Sequence, residues 1–321
     1  MPPALQTTSR SQCAPKFLHY YAMNRHGTQP TIARDYARLM SMESGKSIVL
    51  SSRQRAPVLI IGAHRSGTTA TARALQLLGL QIGQHLDSHH EPRAMQRLHE
   101  EYLRGVGASW FDPTAFLKWV RTPEGESDCV AYLDKNIRKD FDSLLGYRKN
   151  PRGLWLRARM KFGQPWGWKE PRTTLFTSPW LQLFPDARIV HVVRHPLAVA
   201  QSLRRRELEF QKAGDAPQGA LKDLDYCLRI AATYLEVGEQ ISARTRHFYR
   251  IRFEDLQTDP GAALKSLGEF CQLRFTNDRV AEAVATIRTQ SAARHHDITE
   301  GTFAKLLSEH PTVTKLGYGW R

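Results

Sequence analysis

A short turn around residue 65 carries the residues best suited to binding an anion. Gly62 and Gly67 bracket the turn, and glycine lets a backbone bend tightly around a bound group. Arg65 lies between them, and a guanidinium forms paired, charge-assisted hydrogen bonds with phosphate or sulfate. The turn also contains three hydroxyl side chains, those of Ser66, Thr68 and Thr69. We therefore expect this turn to bind a phosphate or sulfate group.

The flanking residues predict a strand before the turn and a helix after it. Residues 58–61 form a short apolar run, and a helix is expected over residues 70–78. The start of that helix offers free backbone N–H groups and the positive end of its dipole. The glycine spacing matches the nucleotidase phosphate loop, but Thr68 stands in place of its lysine. A β,γ-triphosphate is therefore a poor fit, and an ordinary turn between a core strand and a core helix is the alternative.

A second basic site is expected at residue 194. The apolar run Arg188–Val193 predicts a central parallel strand, with a helix following over residues 197–206. Arg194 and Ser202 are eight residues apart, so their side chains can converge on one anion. A nucleotidase would be expected to place a magnesium-binding aspartate at such a strand end. The arginine favours a second anionic group instead.

These segments resemble the sulfotransferases that use 3′-phosphoadenosine 5′-phosphosulfate (PAPS). The resemblance includes the Arg-Ser-Gly-Thr-Thr loop and a strand followed by Arg-x-Pro, with a serine eight residues after the arginine. Residues 168–172, Trp-Lys-Glu-Pro-Arg, resemble the Lys-x-Pro element of the tyrosylprotein and bacterial members, and residues 252–256 resemble their late strand-to-helix segment. The similarity extends over residues 57–273. It implies an α/β fold, a three-layer sandwich with a central parallel sheet and a P-loop nucleotide site.

The resemblance also implies an activity and roles for residues. The enzyme would transfer a sulfuryl group from PAPS to a hydroxyl or amine, releasing adenosine 3′,5′-bisphosphate (PAP). The loop residues would hold the 5′-phosphosulfate, and Arg194 with Ser202 would hold the 3′-phosphate. Arg65 and Lys169 would neutralise charge in the transition state, so no metal is expected. For Lys169 the alternative is a surface lysine beside Trp168, and Arg172 could hold the acceptor or pair with Glu170.

The reaction also needs a base that removes the acceptor's proton. The loop before residue 93 offers five candidates: His85, Asp87, His89, His90 and Glu91. A glutamate in this region serves as the base in the tyrosylprotein and bacterial relatives, so Glu91 is preferred. His90 is second, because imidazole titrates near neutral pH. A glutamate at a helix start can instead merely cap the helix.

Composition is compatible with this interpretation. The chain has 321 residues with 46 basic and 31 acidic side chains, a net charge of +15 that would attract a polyanionic donor. A nucleic-acid partner is disfavoured, because basic and aromatic recognition motifs do not interleave. The four cysteines are scattered, which favours reduced thiols in a cytoplasmic enzyme over a zinc site or a disulfide framework. No apolar run approaches the roughly 20 residues of a membrane span.

The sequence divides into an N-terminal extension over residues 1–55, flexible or weakly ordered, and a sulfotransferase domain over residues 56–321. The first 34 residues contain four basic and no acidic side chains, so a transit peptide is the alternative for the extension. Helices are expected over residues 93–106 and 130–145, a turn over 122–127 and a break over 163–167. Residues 207–219 are expected to form a mobile lid or a plain solvated loop.

Two departures from the family pattern leave questions open. Ala70 stands where the cytosolic eukaryotic enzymes usually have an adenine-enclosing tryptophan, and residues 315–320 only loosely resemble their late Arg-Lys-Gly segment. These last residues are as well explained as an ordered tail that packs Trp320 on the core. A P-loop kinase and a non-catalytic polyanion-binding protein are the alternative functions. The acceptor, whether small molecule, carbohydrate, lipid or peptide, and the oligomeric state are left open.

Overall fold

A five-stranded parallel sheet forms the centre of the computed structural model, which describes residues 55–84, 86–146, 151–213, 219–287 and 298–320. The strands are β1 Val58–Ile61, β2 Gln81–Ile82, β3 Trp166–Lys169, β4 Arg188–Val193 and β5 Phe248–Arg252. They lie in the order β2-β3-β1-β4-β5, and every pairing between them is parallel. The carboxyl ends of β1, β3 and β4 therefore meet at one edge of the sheet.

Helices cover both faces of this sheet. They are α1 Thr68–Leu77, α2 Arg93–Gly105, α3 Thr114–Trp119, α4 Pro123–Leu144, α5 Pro151–Lys161, α6 Thr173–Leu183, α7 Pro196–Lys212, α8 Leu224–Gln240, α9 Phe253–Thr258, α10 Pro260–Phe270, α11 Asn277–Ala285, α12 Glu300–Glu309 and α13 Pro311–Lys315. Two short 3₁₀ turns occupy Ala220–Lys222 and Ile241–Ala243. None of the described helices is long and apolar enough to cross a membrane.

Alternate residues of the central strand pack into two separate cores. Leu59 and Ile61 belong to one apolar cluster, and Val58 and Ile60 belong to the other. This division follows from the strand geometry, because successive side chains point to opposite faces of a sheet. The predicted three-layer α/β fold with a central parallel sheet is thereby confirmed.

Two predicted irregular segments are regular in the structure. The turn predicted over residues 122–127 is wrong, because Thr122 caps α4 by accepting a hydrogen bond from Gly125 N at 3.0 Å. Proline and small polar residues occur at helix starts as well as in turns, so the two were confused. The break predicted over residues 163–167 holds for Gly163, whose φ is 87°, but β3 begins at Trp166.

The loop predicted over residues 207–219 is also wrong in its first part. Helix α7 continues through Lys212, and residues 214–218 lie outside the described part of the chain. The helix continues because residues 208–212, Leu-Glu-Phe-Gln-Lys, are mostly strong helix formers. Glu207 is buried and accepts a hydrogen bond from Gly219 N at 3.2 Å. The predicted helices over residues 93–106 and 130–145 are confirmed by α2 and α4, which begins seven residues earlier than expected.

The two ends of the predicted domain differ in what the structure describes. The extension over residues 1–55 lies outside the described residues, apart from Arg55, so the boundary proposed there stays a prediction. At the other end, Trp320 packs on the core with its ring centroid 5.8 Å from that of Phe303. The last residues are therefore an ordered tail.

Candidate functional site

The turn between β1 and α1 forms a narrow cradle that requires its glycines. Gly67 has a φ of 104°, and a Cβ atom there would lie 2.1 Å from the ring of Phe253. A Cβ atom on Gly62 would lie 2.4 Å from the backbone oxygen of Val192. Arg65 also has a left-handed backbone, with φ at 72°, a conformation that costs free energy in a residue other than glycine. The backbone of this turn is therefore fixed by its surroundings.

Several donors of the cradle are buried. Ser66 and Thr68 are 1% and 3% exposed, and the Ser66 hydroxyl oxygen has no hydrogen-bond partner among the described residues. Leaving such a group unsatisfied costs about 1 to 3 kcal/mol. The Ser66 side chain lines a small separate cavity with Val192 and Arg194, and it is not among the residues that line the cleft. The groups of the turn that face the cleft are therefore Arg65, Thr68 and Thr69, beside the N-terminus of α1.

The predicted second anion site lies against the first. Arg65 donates from Nε to the Ser202 hydroxyl at 3.0 Å, and Arg194 donates to the Arg65 backbone oxygen at 3.2 Å. The Arg194 guanidinium also lies over the ring of Phe253, 5.2 Å from its centroid. Burial lowers the pKa of Arg194, and the Arg65 charge lowers it further. Positive charge is thus concentrated where two anionic groups of one ligand could bind.

Lys169 lies at the mouth of the cradle. It ends β3, beside β1, and its ammonium is 2.7 Å from Glu91 Oε1 and 3.1 Å from the Thr69 hydroxyl. Its side chain is 0% exposed, so the surface-lysine alternative is wrong. Burial lowers the pKa of Lys169, although the Glu91 carboxylate opposes that shift.

Glu91 does not cap α2. The cap position belongs to Pro92, and the other carboxylate oxygen of Glu91 accepts a hydrogen bond from Gln96 at 2.7 Å. Burial raises the pKa of Glu91, while the charge of Lys169 acts in the opposite direction. The structure therefore places a carboxylate of raised pKa next to a buried ammonium group.

The other candidate bases occupy different positions in the loop. Asp87 accepts hydrogen bonds from the backbone N–H groups of His89 and Glu91, at 2.8 and 2.9 Å, and so shapes the loop. His90 Nδ1 lies 2.9 Å from Gln76 Oε1, and His89 lines the cleft beside the cradle. His85 lies outside the described residues.

A buried charge network supports β3 from the other side. Glu170 lies 2.6 Å from Arg172 NH1 and 2.6 Å from His99 Nδ1, and its side chain is 0% exposed. Arg172 also pairs with Glu100 at 2.5 Å. Of the two roles expected for Arg172, the structure thus shows the pairing with Glu170. Burial alone would raise the pKa of Glu170, but Arg172 and His99 lower it to about 2.

The cleft also contains residues to which the sequence assigned no role. It is lined by His64, Arg65, Gly67, Thr68, Thr69, Ala70, His89, Glu91, Pro171 and Arg206. His64 is 9% exposed, its Nε2 atom has no hydrogen-bond partner among the described residues, and its ring centroid is 4.3 Å from that of Trp110. Burial, helped by Arg172, lowers the pKa of His64 well below its usual value, so the imidazole is neutral. The only sequence signal for His64 was its position next to Arg65.

Comparison with known proteins relates the chain to sulfotransferases. A family model described as "Sulfotransferase family" matches residues 57–277. The omega-hydroxy-beta-dihydromenaquinone-9 sulfotransferase Stf3 of Mycobacterium bovis is 27% identical over 128 residues, which are 36% of this chain and 32% of that protein. The chain thus matches about a third of the length of this curated relative.

Among solved structures, similar chains include two mycobacterial sulfotransferases. STF9 from Mycobacterium avium has a TM-score of 0.44 at 14% identity, over 86% of this chain and 81% of that one. STF1 from Mycobacterium tuberculosis H37Rv has a TM-score of 0.43 at 16% identity, over 87% of this chain and 82% of that one.

The network around Glu170 generates a prediction about stability. Glu170→Gln leaves Arg172 buried without its most buried partner, and breaking a buried pair costs about 3 to 5 kcal/mol. We expect the free energy of unfolding at pH 7 to fall by about that amount, measured by urea denaturation. Glu100→Gln is the matched control, because Glu100 contacts the same arginine but is 42% exposed. Glu100→Gln should lower the free energy of unfolding by about 1 kcal/mol or less.

The same variant should show a defined pH dependence. The pKa of Glu170 is about 2 in the folded protein and about 4.3 in the unfolded chain. Its contribution to the free energy of unfolding is therefore complete above about pH 4.3. That contribution is lost as the pH falls toward the pKa in the folded protein. The stability difference between the wild type and Glu170→Gln should therefore narrow below about pH 4. Equal destabilisation by Glu170→Gln and Glu100→Gln would contradict this account.

Proposed function

This chain belongs to the sulfotransferase family, and we propose that it transfers a sulfuryl group from PAPS to a hydroxyl or amine of an acceptor, releasing PAP. The observation that carries the proposal is the position of Lys169. Its ammonium contacts both the Glu91 carboxylate and the Thr69 hydroxyl, so a cation and a base lie together at a phosphate cradle.

The donor is proposed to bind along the cradle and the two arginines. The N-terminus of α1, Arg65 and the hydroxyls of the turn would hold the 5′-phosphosulfate, in keeping with the position of Arg65, Thr68 and Thr69 along the cleft. Arg194 and Ser202 would hold the 3′-phosphate. Their contacts with Arg65, 3.2 Å to its backbone and 3.0 Å to its side chain, support binding of both groups by one ligand.

The proposed step is an in-line displacement at sulfur. The acceptor oxygen forms a bond to sulfur while the bond from sulfur to the 5′-phosphate oxygen breaks, and PAP leaves with that electron pair. Glu91 accepts the acceptor's proton, for which a raised pKa is suitable. Lys169 and Arg65 stabilise negative charge on the sulfuryl and leaving oxygens.

The acceptor side of the cleft is proposed to include His64. Its neutral imidazole lines the cleft and has an unsatisfied Nε2 atom, which could bond an acceptor hydroxyl. The name of the relative Stf3, an omega-hydroxy-beta-dihydromenaquinone-9 sulfotransferase, makes a hydroxylated menaquinone derivative the first acceptor to test. A cytoplasmic location and the domain boundary at residue 56 stay predictions.

A P-loop kinase is the rival function, and ligand binding distinguishes the two. Thr68 replaces the nucleotidase lysine and Arg194 occupies the strand end, so we expect tight binding of PAP without magnesium and weak binding of ATP. Calorimetric titration with each nucleotide in chelator, repeated with magnesium, measures this. Magnesium-dependent ATP binding stronger than PAP binding would overturn the proposed function.

Arg194→Ala should affect the 3′-phosphate selectively. It removes a charge-assisted contact, so we expect PAP affinity to fall by about 2 to 4 kcal/mol while 5′-AMP affinity changes little. Arg138→Ala is a suitable control, because Arg138 is an exposed arginine on α4 that pairs with Asp134 at the surface. If Arg194→Ala weakens both nucleotides equally, the arginine does not recognise the 3′-phosphate.

Glu91→Gln should separate catalysis from binding. Glutamine keeps the size of the side chain but cannot accept the proton, so turnover should fall by roughly 10² to 10⁴ while PAP affinity is retained. Wild-type turnover should decline as pH falls through the raised pKa of Glu91, and the variant should lack that decline.

The variant Lys169→Ala should differ from Glu91→Gln in its pH profile. Turnover should fall through lost charge stabilisation, but the acidic decline should persist and move to higher pH, because Lys169 lowers the pKa of Glu91. Near-normal turnover of Glu91→Gln would transfer the base role to another residue of the loop.

A further inference from the structure

Helix α5 presents large apolar side chains to solvent. Leu154, Trp155 and Phe162 are 54%, 55% and 73% exposed. Positions 154, 155 and 158 lie on one face of a helix, and residue 162 continues that face just beyond its end. The inward face carries Leu156 and the buried Met160, which pack against the core. The outward face is therefore apolar without contributing to the core.

Positive charge accompanies this apolar face. Residues 151–162 contain four basic and no acidic side chains. Arg159 lies over the Trp155 ring, 4.6 Å from its centroid, and Lys161 is exposed beside Phe162. An aromatic and aliphatic surface flanked by exposed cations matches the boundary between anionic headgroups and acyl chains.

The helix is held firmly on the domain. Arg157 pairs with Asp142 of α4 at 2.8 Å, and the Leu156 backbone oxygen accepts a hydrogen bond from Gln81 of β2 at 3.0 Å. These contacts orient α5 so that its apolar face stays outward. A surface fixed in this way loses little conformational entropy when it binds.

We propose that α5 docks this protein on the surface of an anionic membrane. Leu154, Trp155 and Phe162 enter the boundary between headgroups and acyl chains, and Arg159 and Lys161 contact lipid phosphates. The protein lies on the membrane and does not span it. Docking is independent of the proposed reaction, because neither donor nor acceptor takes part.

Charge disfavours two other occupants of this face. A second copy packed symmetrically would oppose two clusters of like charge. Residues 1–54 contain seven basic and two acidic side chains, so this segment also has the wrong sign to cover the face. Anionic lipid supplies the opposite charge together with an apolar layer.

Vesicle co-sedimentation of the full chain tests the proposal. We expect binding to vesicles of equal parts phosphatidylcholine and phosphatidylglycerol, weakened by added salt, and little binding to pure phosphatidylcholine. Trp155→Ser combined with Phe162→Ser should weaken binding by about tenfold or more. Arg159→Glu combined with Lys161→Glu should weaken it similarly.

A control removes a second exposed apolar pair elsewhere in the described residues. Leu208 and Phe210 on α7 are 38% and 39% exposed, and replacing both with serine should leave vesicle binding within about twofold of wild type. Circular dichroism and PAP titration establish that each variant is folded. Two results would overturn the proposal: no preference for anionic vesicles, or equal loss with both apolar pairs. Concentration-dependent dimerisation abolished by the Trp155 and Phe162 changes would instead assign the face to a second copy.

Discussion

Opposite charges on successive residues at the end of β3 are the constraint on which the site depends. Lys169 and Glu170 are both fully buried, and a buried charge is tolerated only when it is paired. Lys169 pairs with Glu91 before α2, and Glu170 pairs with His99 on α2 and with Arg172. The segment from residue 91 to residue 99 is therefore tied to one strand end at two points.

Phe253 provides a second connection, between the cradle and the arginine after β4. Its ring fills the space beside Gly67 and also underlies the Arg194 guanidinium. The ring is buried at the start of α9, directly after β5. A single apolar side chain thus sets the distance between the two groups that are proposed to bind the ends of one nucleotide.

Much of the fold and part of the site could be predicted from the sequence. The cradle, the strand before Arg194 and the helix after Arg93 were correctly located, because each depends on neighbouring residues. Glu91 and Lys169 were proposed separately, but their contact across 78 positions appears only in the folded chain. His64 and Arg206 were missed for the same reason, since lining a cleft depends on tertiary packing. Local patterns also failed at residue 122, where a helix start resembles a turn.

The contacts of Arg65 couple the two proposed anion-binding groups. Its side chain bonds Ser202, and its backbone oxygen accepts from Arg194, so one residue belongs to both groups. Members of a single hydrogen-bonded network do not contribute additively to binding. Under the proposed function, the free energies contributed by the 5′- and 3′-groups of a nucleotide are therefore expected to be non-additive. Because Arg194 donates to the Arg65 backbone oxygen, the size of any change in 5′-AMP affinity caused by Arg194→Ala measures the coupling between the two groups.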